Sequence, residues 1–215
     1  MATGHDKVVH SPSPARTAYP ARPHALKPGN ILPAYAWLFL VVNQAINSPF
    51  PPSPSTALLV LINSVALVLF VIRRDATRVG NKLEMIIALS GTFLVSFLKG
   101  PKVQDTHWLP TAIQVIALIG WAVSLTSLGR SFGIVPADRG LVQHGPYRYV
   151  RHPIYAFEAL FFIGFFIAVP TWRSGIIIAV CWALQILRIL REERILEGYK
   201  EYRQRVRWRL VPGLW

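Results

Sequence analysis

Six long apolar segments constrain the fold of this chain more than any other feature. They are Ile31–Ile46, Thr56–Ile72, Leu83–Leu98, Leu109–Leu128, Ile154–Pro170 and Gly175–Leu190. Most are somewhat shorter than the ~20 residues of a full membrane span, and interfacial residues at their ends can extend them. A span must satisfy its backbone polar groups internally, and no segment shows the apolar–polar alternation of a barrel strand. The sequence therefore predicts an all-α, polytopic integral membrane bundle of six helices, or of five if one early segment lies in the interface.

The positions of the cationic residues predict how this bundle is oriented. The chain is 53% hydrophobic and only 15% charged, which is typical of a membrane protein, and its formal net charge is +13. Connections rich in Lys and Arg alternate along the chain with connections poor in them. This alternation predicts that both termini, and the connection between the fourth and fifth segments, lie in the cytoplasm. A nucleic-acid partner is not expected, because the cations of such a protein would not be separated by long apolar blocks.

The first half of the chain shows no motif that points to chemistry. Residues 1–30 are rich in Pro, Ser, Ala, His and Arg without apolar periodicity, which predicts a flexible cytoplasmic tail. Residues 31–128 contain the first four predicted helices, with a stiff, proline-rich external turn at Pro49–Pro54. Cys181 is the only cysteine and the six histidines are scattered, so neither an intrachain disulfide nor a metal site is expected.

A first polar cluster occupies the end of the connection before the fifth segment, from Arg139 to Tyr155. Its glycines and Pro146 predict a bent loop, and Pro153 suits the first turn of the following helix. Arg151 and His152 would then lie at a helix N-terminus, where free N–H groups attract carboxylates and phosphates. Three tyrosines add aromatic faces suited to an adenine ring or a sulfonium cation, namely Tyr147, Tyr149 and Tyr155. An interfacial belt of Tyr and Arg accounts for the same residues.

A second polar cluster ends the sixth segment. Arg188 lies within the apolar stretch, so it either reaches the interface or pairs with an anion, and Glu192 is four residues further on. A salt bridge within the helix explains Glu192 and leaves Glu193 unexplained. If the fifth and sixth segments form a hairpin, the two clusters emerge on one side of the bilayer. The pattern beyond predicts a cytoplasmic amphipathic helix near Tyr199 and Tyr202, with cations that contact anionic membrane lipid.

These clusters carry a family resemblance. The run from Gly145 to Tyr155 reads Gly-Pro-Tyr-Arg-Tyr-Val-Arg-His-Pro-Ile-Tyr, and Glu192-Glu193-Arg194-Ile195-Leu196, Glu201-Tyr202 and the ending Arg209–Trp215 follow it. Together they resemble the isoprenylcysteine carboxyl methyltransferase family, which is related to the integral-membrane phospholipid methyltransferases. The resemblance implies S-adenosylmethionine-dependent methyl transfer to a carboxylate or another group of a lipophilic or small acceptor. It also implies that residues 129–215 form the catalytic part, with a cofactor loop, a helical hairpin and a C-terminal helix.

The resemblance assigns roles to individual residues. The cofactor would be bound by Arg139, Gly140, Leu141, Val142, Tyr147, Arg151, His152, Pro153, Ile154, Tyr155 and Glu192. Arg188 and Glu192 would be the catalytic pair: Arg188 orients the carboxylate to be methylated, and Glu192 holds a cationic or hydroxyl part of the cofactor. Arg151 would brace the loop or meet the cofactor carboxylate.

Two positions depart from the family pattern. Phe157 stands where the family usually has glycine, and Glu158 places an acid inside the apolar span. An acid at that depth is a candidate for acceptor binding or proton removal, and the alternative is an ion pair with Arg188 or Arg151. The acceptor and the oligomeric state stay open. The competing interpretations are a membrane NADPH-dependent sterol- or enone-type reductase and a non-catalytic, lipid-binding membrane protein.

Overall fold

The computed structural model describes residues 28–47, 52–98 and 108–215, which form an all-α bundle as predicted. Its helices are α1 Pro28–Asn47, α2 Pro54–Ile72, α3 Lys82–Phe93, α4 Trp108–Leu128, α5 Pro153–Ala168, α6 Trp172–Ile195 and α7 Tyr199–Arg205. Short 3-10 turns occupy Leu94–Phe97, Gly129–Ser131 and Gly145–Arg148. Two-residue strands, β1 Arg78–Val79 and β2 Ala137–Asp138, pair antiparallel. Residues 1–27 of the predicted tail and residues 49–51 of the proline-rich turn lie outside the described residues.

Three of these helices are long and apolar enough to cross a membrane. They are α2, α6, and α4 together with the 3-10 turn that follows it. Helix α5 and the Trp37–Ile46 part of α1 are apolar but shorter. The predicted third span is helical for only 12 residues, in α3, before it tightens into a 3-10 turn. The structure thus supports a helical membrane bundle, and the prediction of five or six spans stays a prediction.

The fifth and sixth helices form the predicted hairpin, but they pack mainly on other helices. Helix α5 lies against α4, whereas α6 lies against α3. Helices α4 and α5 approach closely because a glycine on each helix faces a larger side chain on the other. Gly120 on α4 faces the ring of Phe157, and Gly164 on α5 faces Gln114. The splayed hairpin leaves room for a cavity between the two helix pairs.

An aromatic cluster fixes the start of the loop between α4 and α5. The rings of Trp37 and Phe70 have centroids 5.3 Å apart, and those of Phe70 and Phe132 are 5.0 Å apart. All three side chains are buried. Aromatic pairs at these separations add attraction beyond simple area burial. Phe132 therefore anchors the loop to α1 and α2 directly after α4 ends.

The connection between α2 and α3 holds the next part of the same loop. β1 pairs with β2, and the backbone N–H of Gly80 donates to the carbonyl of Pro136 at 2.9 Å. The buried carboxylate of Asp138 then accepts the N–H of Gly140 at 3.0 Å and the N–H of Glu197 at 3.1 Å. Gly140 has a φ of 92°, a conformation that favours glycine. Asp138 thus ties the loop to the end of α6.

The close contact between α4 and α5 predicts the effect of adding one methyl group. A Cβ at Gly120 would overlap the ring of Phe157, so Gly120→Ala overpacks the interface. We expect a loss of about 1–3 kcal/mol in stability, seen as a lower apparent unfolding temperature of the detergent-purified protein. The double variant Gly120→Ala, Phe157→Leu should recover most of that loss. A single variant as stable as the parent would contradict this packing.

Candidate active site

A cavity of about 990 Å³ lies within the bundle, and the loop between α4 and α5 lines one end of it. The opposite end reaches Ser53 and Ser55 at the start of α2 and Thr111 near the start of α4. Sites for cofactors and small ligands commonly occupy volumes of about 300–1,000 Å³. The cavity is therefore large enough for a cofactor at the loop end and for part of a second molecule beyond it.

The structure brings together almost all of the side chains predicted for the site. Those that line the cavity are Arg139, Gly140, Leu141, Val142, Tyr147, Arg151, His152, Ile154, Tyr155, Glu158, Arg188 and Glu192. Pro153 is the exception, because it lines a separate and smaller groove with Pro146 and Tyr149. Its buried ring begins α5 and shapes the helix start rather than the cavity wall.

Glu192 and Arg188 form the predicted salt bridge within α6, and both face the cavity. Arg188 Nε donates to Glu192 Oε1 at 3.1 Å, and Tyr155 Oη donates to the same oxygen at 2.8 Å. Arg188 Nη2 also donates to the carbonyl of Gly133 at 3.1 Å, and its guanidinium lies 5.4 Å from the centroid of the Tyr155 ring. The salt bridge within the helix and the predicted catalytic pair are thus the same two residues. They are held at the cavity wall by Gly133 of the loop and Tyr155 of α5.

Glu193, for which no role was predicted, organises the opposite side of the site. Its Oε1 lies 3.2 Å from His152 Nε2 and accepts Arg151 Nη1 at 3.2 Å and Tyr199 Oη at 2.6 Å. Arg209 donates to both of its oxygens, at 2.8 and 3.0 Å. Because an ionised carboxylate only accepts, His152 Nε2 carries a proton in this contact.

The signal for Glu193 was present in the sequence as a second acid with no partner along its helix. Neighbouring residues on an α-helix point about 100° apart. Glu192 therefore faces the cavity, while Glu193 faces α7 and the end of the chain. The hydrogen-bond donors to Glu193 could not be predicted from the sequence, because Arg151 and Arg209 lie far from Glu193 along the chain.

Residues 206–215, which we call the C-terminal strap, hold the loop from outside. The backbone N–H groups of Arg151 and His152 donate to the carbonyls of Trp208 and Arg209, at 2.9 and 2.8 Å. Next to the strap, the buried hydroxyl of Tyr202 donates to the carbonyl of Tyr147 at 2.7 Å. The conformation of the loop before α5 thus depends on residues about 60 positions later in the chain.

Two buried arginines on this loop have different surroundings. Arg151 donates to Glu193, to Tyr199 Oη and to a strap carbonyl, so it braces the loop, which is one of its two predicted roles. The guanidinium of Arg139 donates no hydrogen bond to any described residue, and its Nε is fully buried. Burial, followed by the nearby Arg73 guanidinium, lowers the pKa of Arg139 to about 10. Arg139 is therefore still charged at neutral pH and forms no ion pair with a described residue, although the charges of Glu192 and Asp75 act on it.

Tyr147 and Tyr199, which lie outside the helical spans, stay protonated. Burial, followed by the charge of Glu192, raises the pKa of Tyr147 well above its usual value. Burial and the hydrogen bond to Glu193 likewise raise the pKa of Tyr199. Both hydroxyl groups are therefore neutral donors at any physiological pH, and neither is a base.

Glu158 does not form the ion pair with Arg188 or Arg151 that was one expectation from the sequence. Both of its carboxylate oxygens instead accept Gln185 Nε2, at 3.0 and 2.9 Å. The expectation was wrong because Arg188 is already held by Glu192 and Gly133, and Arg151 by Glu193. Gln185 lies one turn before Arg188 on α6, so it meets α5 at the depth of Glu158.

The fold and the site are those of a helical membrane protein with a charged internal cavity. Residues 109–205 match the sequence model of the phospholipid methyltransferase family. The match runs from α4 to the end of α7 and spans less than half of the chain. It supports a membrane methyltransferase and does not extend to the isoprenylcysteine carboxyl methyltransferase family itself. No curated protein matches the chain significantly.

The surroundings of Glu193 predict that it matters more for stability than for chemistry. Glu193→Gln leaves the buried Arg151 and the half-exposed Arg209 without a countercharge. Breaking such a buried pair costs roughly 3 kcal/mol, so we expect the apparent unfolding temperature to fall by about 6–12 °C.

The matched control is Glu201→Gln, which removes an exposed carboxylate on α7 and should leave the unfolding temperature within about 1 °C of the parent. Equal effects of the two substitutions would show that Glu193 is not the organising group.

Proposed function

We propose that this chain is an integral membrane methyltransferase that uses S-adenosylmethionine and methylates a lipophilic acceptor. The observation that carries the proposal is the convergence of the loop before α5 and the end of α6 on one cavity. The family match supports it over the same residues. The finer assignment to isoprenylcysteine-type carboxyl methylation rests on the motif resemblance alone.

The groups at the loop end of the cavity fit the chemistry of this cofactor. Arg139 offers a buried, unpaired cation to a carboxylate, and hydrogen bonds to charged groups are the strong ones. Glu192 has a second oxygen, Oε2, for an ammonium or a ribose hydroxyl. Tyr147 and Tyr155 provide aromatic faces for an adenine ring or a sulfonium. The backbone of Gly140–Val142 completes this end of the cavity.

When bound, S-adenosylmethionine supplies a methyl group activated by a positively charged sulfur. The residues of the chain then have to align the acceptor with that methyl group and exclude water. Arg188 suits the first task, because its Nε and Nη2 are fixed by Glu192 and Gly133 while its Nη1 donates to no described residue. The buried loop, closed by Tyr202 and the C-terminal strap, suits the second.

Neither competing interpretation accounts for these charges. An NADPH-dependent reductase needs additional cations for the extra phosphate of the nucleotide. Among the described residues that line the cavity, the arginines are Arg139, Arg151 and Arg188, and two of the three are already ion-paired. Non-catalytic binding of membrane lipid does not explain why Arg139 is buried without an ion-pair partner among the described residues. The reductase also disagrees with the family match.

We place the cofactor end of the cavity on the cytoplasmic side. The connections at that end contain Arg73, Arg74 and Arg130, and the chain beyond α6 is also rich in arginine. Excess cations in short connections mark the cytoplasmic side of a membrane protein. The cofactor would then enter from the cytoplasm, while a lipophilic acceptor enters from the bilayer.

Arg139 provides the sharpest test of cofactor binding. We expect calorimetry on the detergent-purified protein to show saturable, micromolar-range binding of S-adenosylmethionine. Arg139→Gln should weaken it about 10- to 100-fold, the range for a lost hydrogen bond to a charged group. Because the Arg139 side chain forms no hydrogen bond or ion pair with the described residues, the substitution should not lower the unfolding temperature of the ligand-free protein.

The matched control is Lys200→Ala, which removes an exposed cation of α7 and should leave the affinity unchanged. The proposal fails if the parent protein does not bind S-adenosylmethionine, or if it binds NADPH tightly instead. Equal affinity of the parent and of Arg139→Gln for S-adenosylmethionine would show that Arg139 does not bind the cofactor.

A further inference from the structure

The cavity contains a second polar layer, one helical turn deeper in the bundle than the cofactor residues. Glu158 follows Tyr155 by three residues on α5, and Gln185 precedes Arg188 by three residues on α6. Three residues of α-helix advance about 4.5 Å along the axis. Tyr155, Arg188 and Glu192 therefore form the layer next to the loop, and Glu158 and Gln185 form the layer below.

Glu158 differs from the other acids of the site, because its only electrostatic support is the charge of Arg188 one turn away. Glu192 is paired with Arg188, and Glu193, behind the loop, is paired with Arg151 and Arg209. Glu158 forms no ion pair with any described residue and has only the amide of Gln185. An acid inside a membrane span is costly unless it is compensated, and one neutral amide is weak compensation.

The pair formed by Glu158 and Gln185 has too many acceptors for its donors. Gln185 Nε2 is used by the carboxylate, while Gln185 Oε1 is buried without any donor. Each oxygen of the Glu158 carboxylate can accept at least one further hydrogen bond. The layer therefore needs donors that the described residues do not supply.

Gln114 is an independent sign that a polar ligand reaches this depth. It projects from α4, lines the same cavity and is 9% exposed, yet it hydrogen-bonds to no described residue. Its side chain packs where Gly164 of α5 leaves space, which is deeper than Glu158. A free amide in a membrane bundle would be unfavourable if only a hydrocarbon chain filled the cavity beside it.

We propose that Glu158 and Gln185 bind a hydrogen-bond-donating group of the acceptor, a hydroxyl or an amine, and that Gln114 contacts the polar part of the acceptor from deeper in the cavity. This proposal rests on the proposed function and names the class of acceptor. The donor group satisfies the carboxylate of Glu158, and the apolar part of the acceptor fills the rest of the cavity. Glu158 is thus a specificity-determining residue of this chain.

The same layer excludes a carboxylate acceptor, which the resemblance to the isoprenylcysteine carboxyl methyltransferases would imply. An anionic acceptor at this depth would meet Glu158, which forms no ion pair with a described residue, and the guanidinium of Arg188 one turn away is already paired with Glu192. Like charges in a medium of low dielectric constant repel strongly. The departure at Glu158 therefore separates this chain from the family that its motifs resemble.

The test compares four tritiated probes of equal chain length on the full-length protein in lipid nanodiscs: dodecanol, dodecylamine, dodecanoate and methyl dodecanoate. Binding to empty nanodiscs is subtracted. The parent protein should bind the alcohol or the amine about tenfold more tightly than either the carboxylate or the ester, which lacks a donor. The tighter of the first two identifies the donor.

Glu158→Gln should reduce this preference to about threefold or less and leave the affinity for S-adenosylmethionine within about twofold. Glu201→Gln, an exposed carboxylate on α7, is the matched control and should keep the preference. Gln114→Leu is a second variant, and it should weaken binding of the donor probes while the ester is unaffected. The Gln114→Leu variant also tests the proposal if Glu158→Gln does not fold.

The proposal is overturned if the parent binds dodecanoate as tightly as the alcohol and the amine. It is also overturned if the folded variants Glu158→Gln and Gln114→Leu both keep the parent's preference. Failure of the proposed function would look different, because the parent would then show the donor preference without binding S-adenosylmethionine.

Discussion

The site depends on one interaction, the burial of the Glu193 carboxylate among donors from three separate segments. A buried carboxylate is stable only if its lost hydration is replaced by hydrogen bonds and opposite charge. Arg151 and His152 supply them from the start of α5, Tyr199 from α7 and Arg209 from the C-terminal strap. These segments cannot separate without leaving charges unpaired. Glu193 thus fixes the start of α5 relative to the end of α6, and so determines the shape of the cavity between them.

The same geometry places three acids in three different surroundings. Glu193 faces away from the cavity and holds the loop. Glu192, next to it on the helix, is turned toward the cavity and positions Arg188 and Tyr155. Glu158 lies one turn deeper and forms no ion pair with a described residue, so it is the acid with capacity left for a ligand. In the functions proposed above, structural support, cofactor binding and acceptor selection belong to separate neighbouring groups, and a substitution at one need not disturb the others.

Much of this arrangement can be predicted from the sequence, because it depends on local patterns. Apolar length predicts α2, α4 and α6, and Pro153 predicts the start of α5. The expectation that the loop and the end of α6 share a cavity also follows from sequence order, since one hairpin returns the chain to the same side. The short α3 was not predicted, because its apolar pattern continues to Leu98 although the helix tightens after Phe93.

The features that the sequence did not predict are those set by distant partners. Phe157 departs from the family glycine, and the compensating small residue, Gly120, lies on another helix. The partner of Glu158 is the neutral Gln185 rather than Arg188 or Arg151, because these two arginines already pair with other acids. Arg151 and Arg139 look alike on the loop, and only the positions of Glu193 and the strap show which one is left unpaired.

We propose that one cavity, bounded by the loop before α5 and the end of α6, binds S-adenosylmethionine. Ultraviolet cross-linking of the labelled cofactor to the purified protein, followed by peptide mass spectrometry, locates the binding site without any substitution. We expect adducts on the peptides that contain Tyr147, Tyr155 or Tyr199, and we expect them to disappear when excess S-adenosylhomocysteine competes. Adducts confined to other helices, or adducts that survive competition, would show that the cofactor does not bind in this cavity.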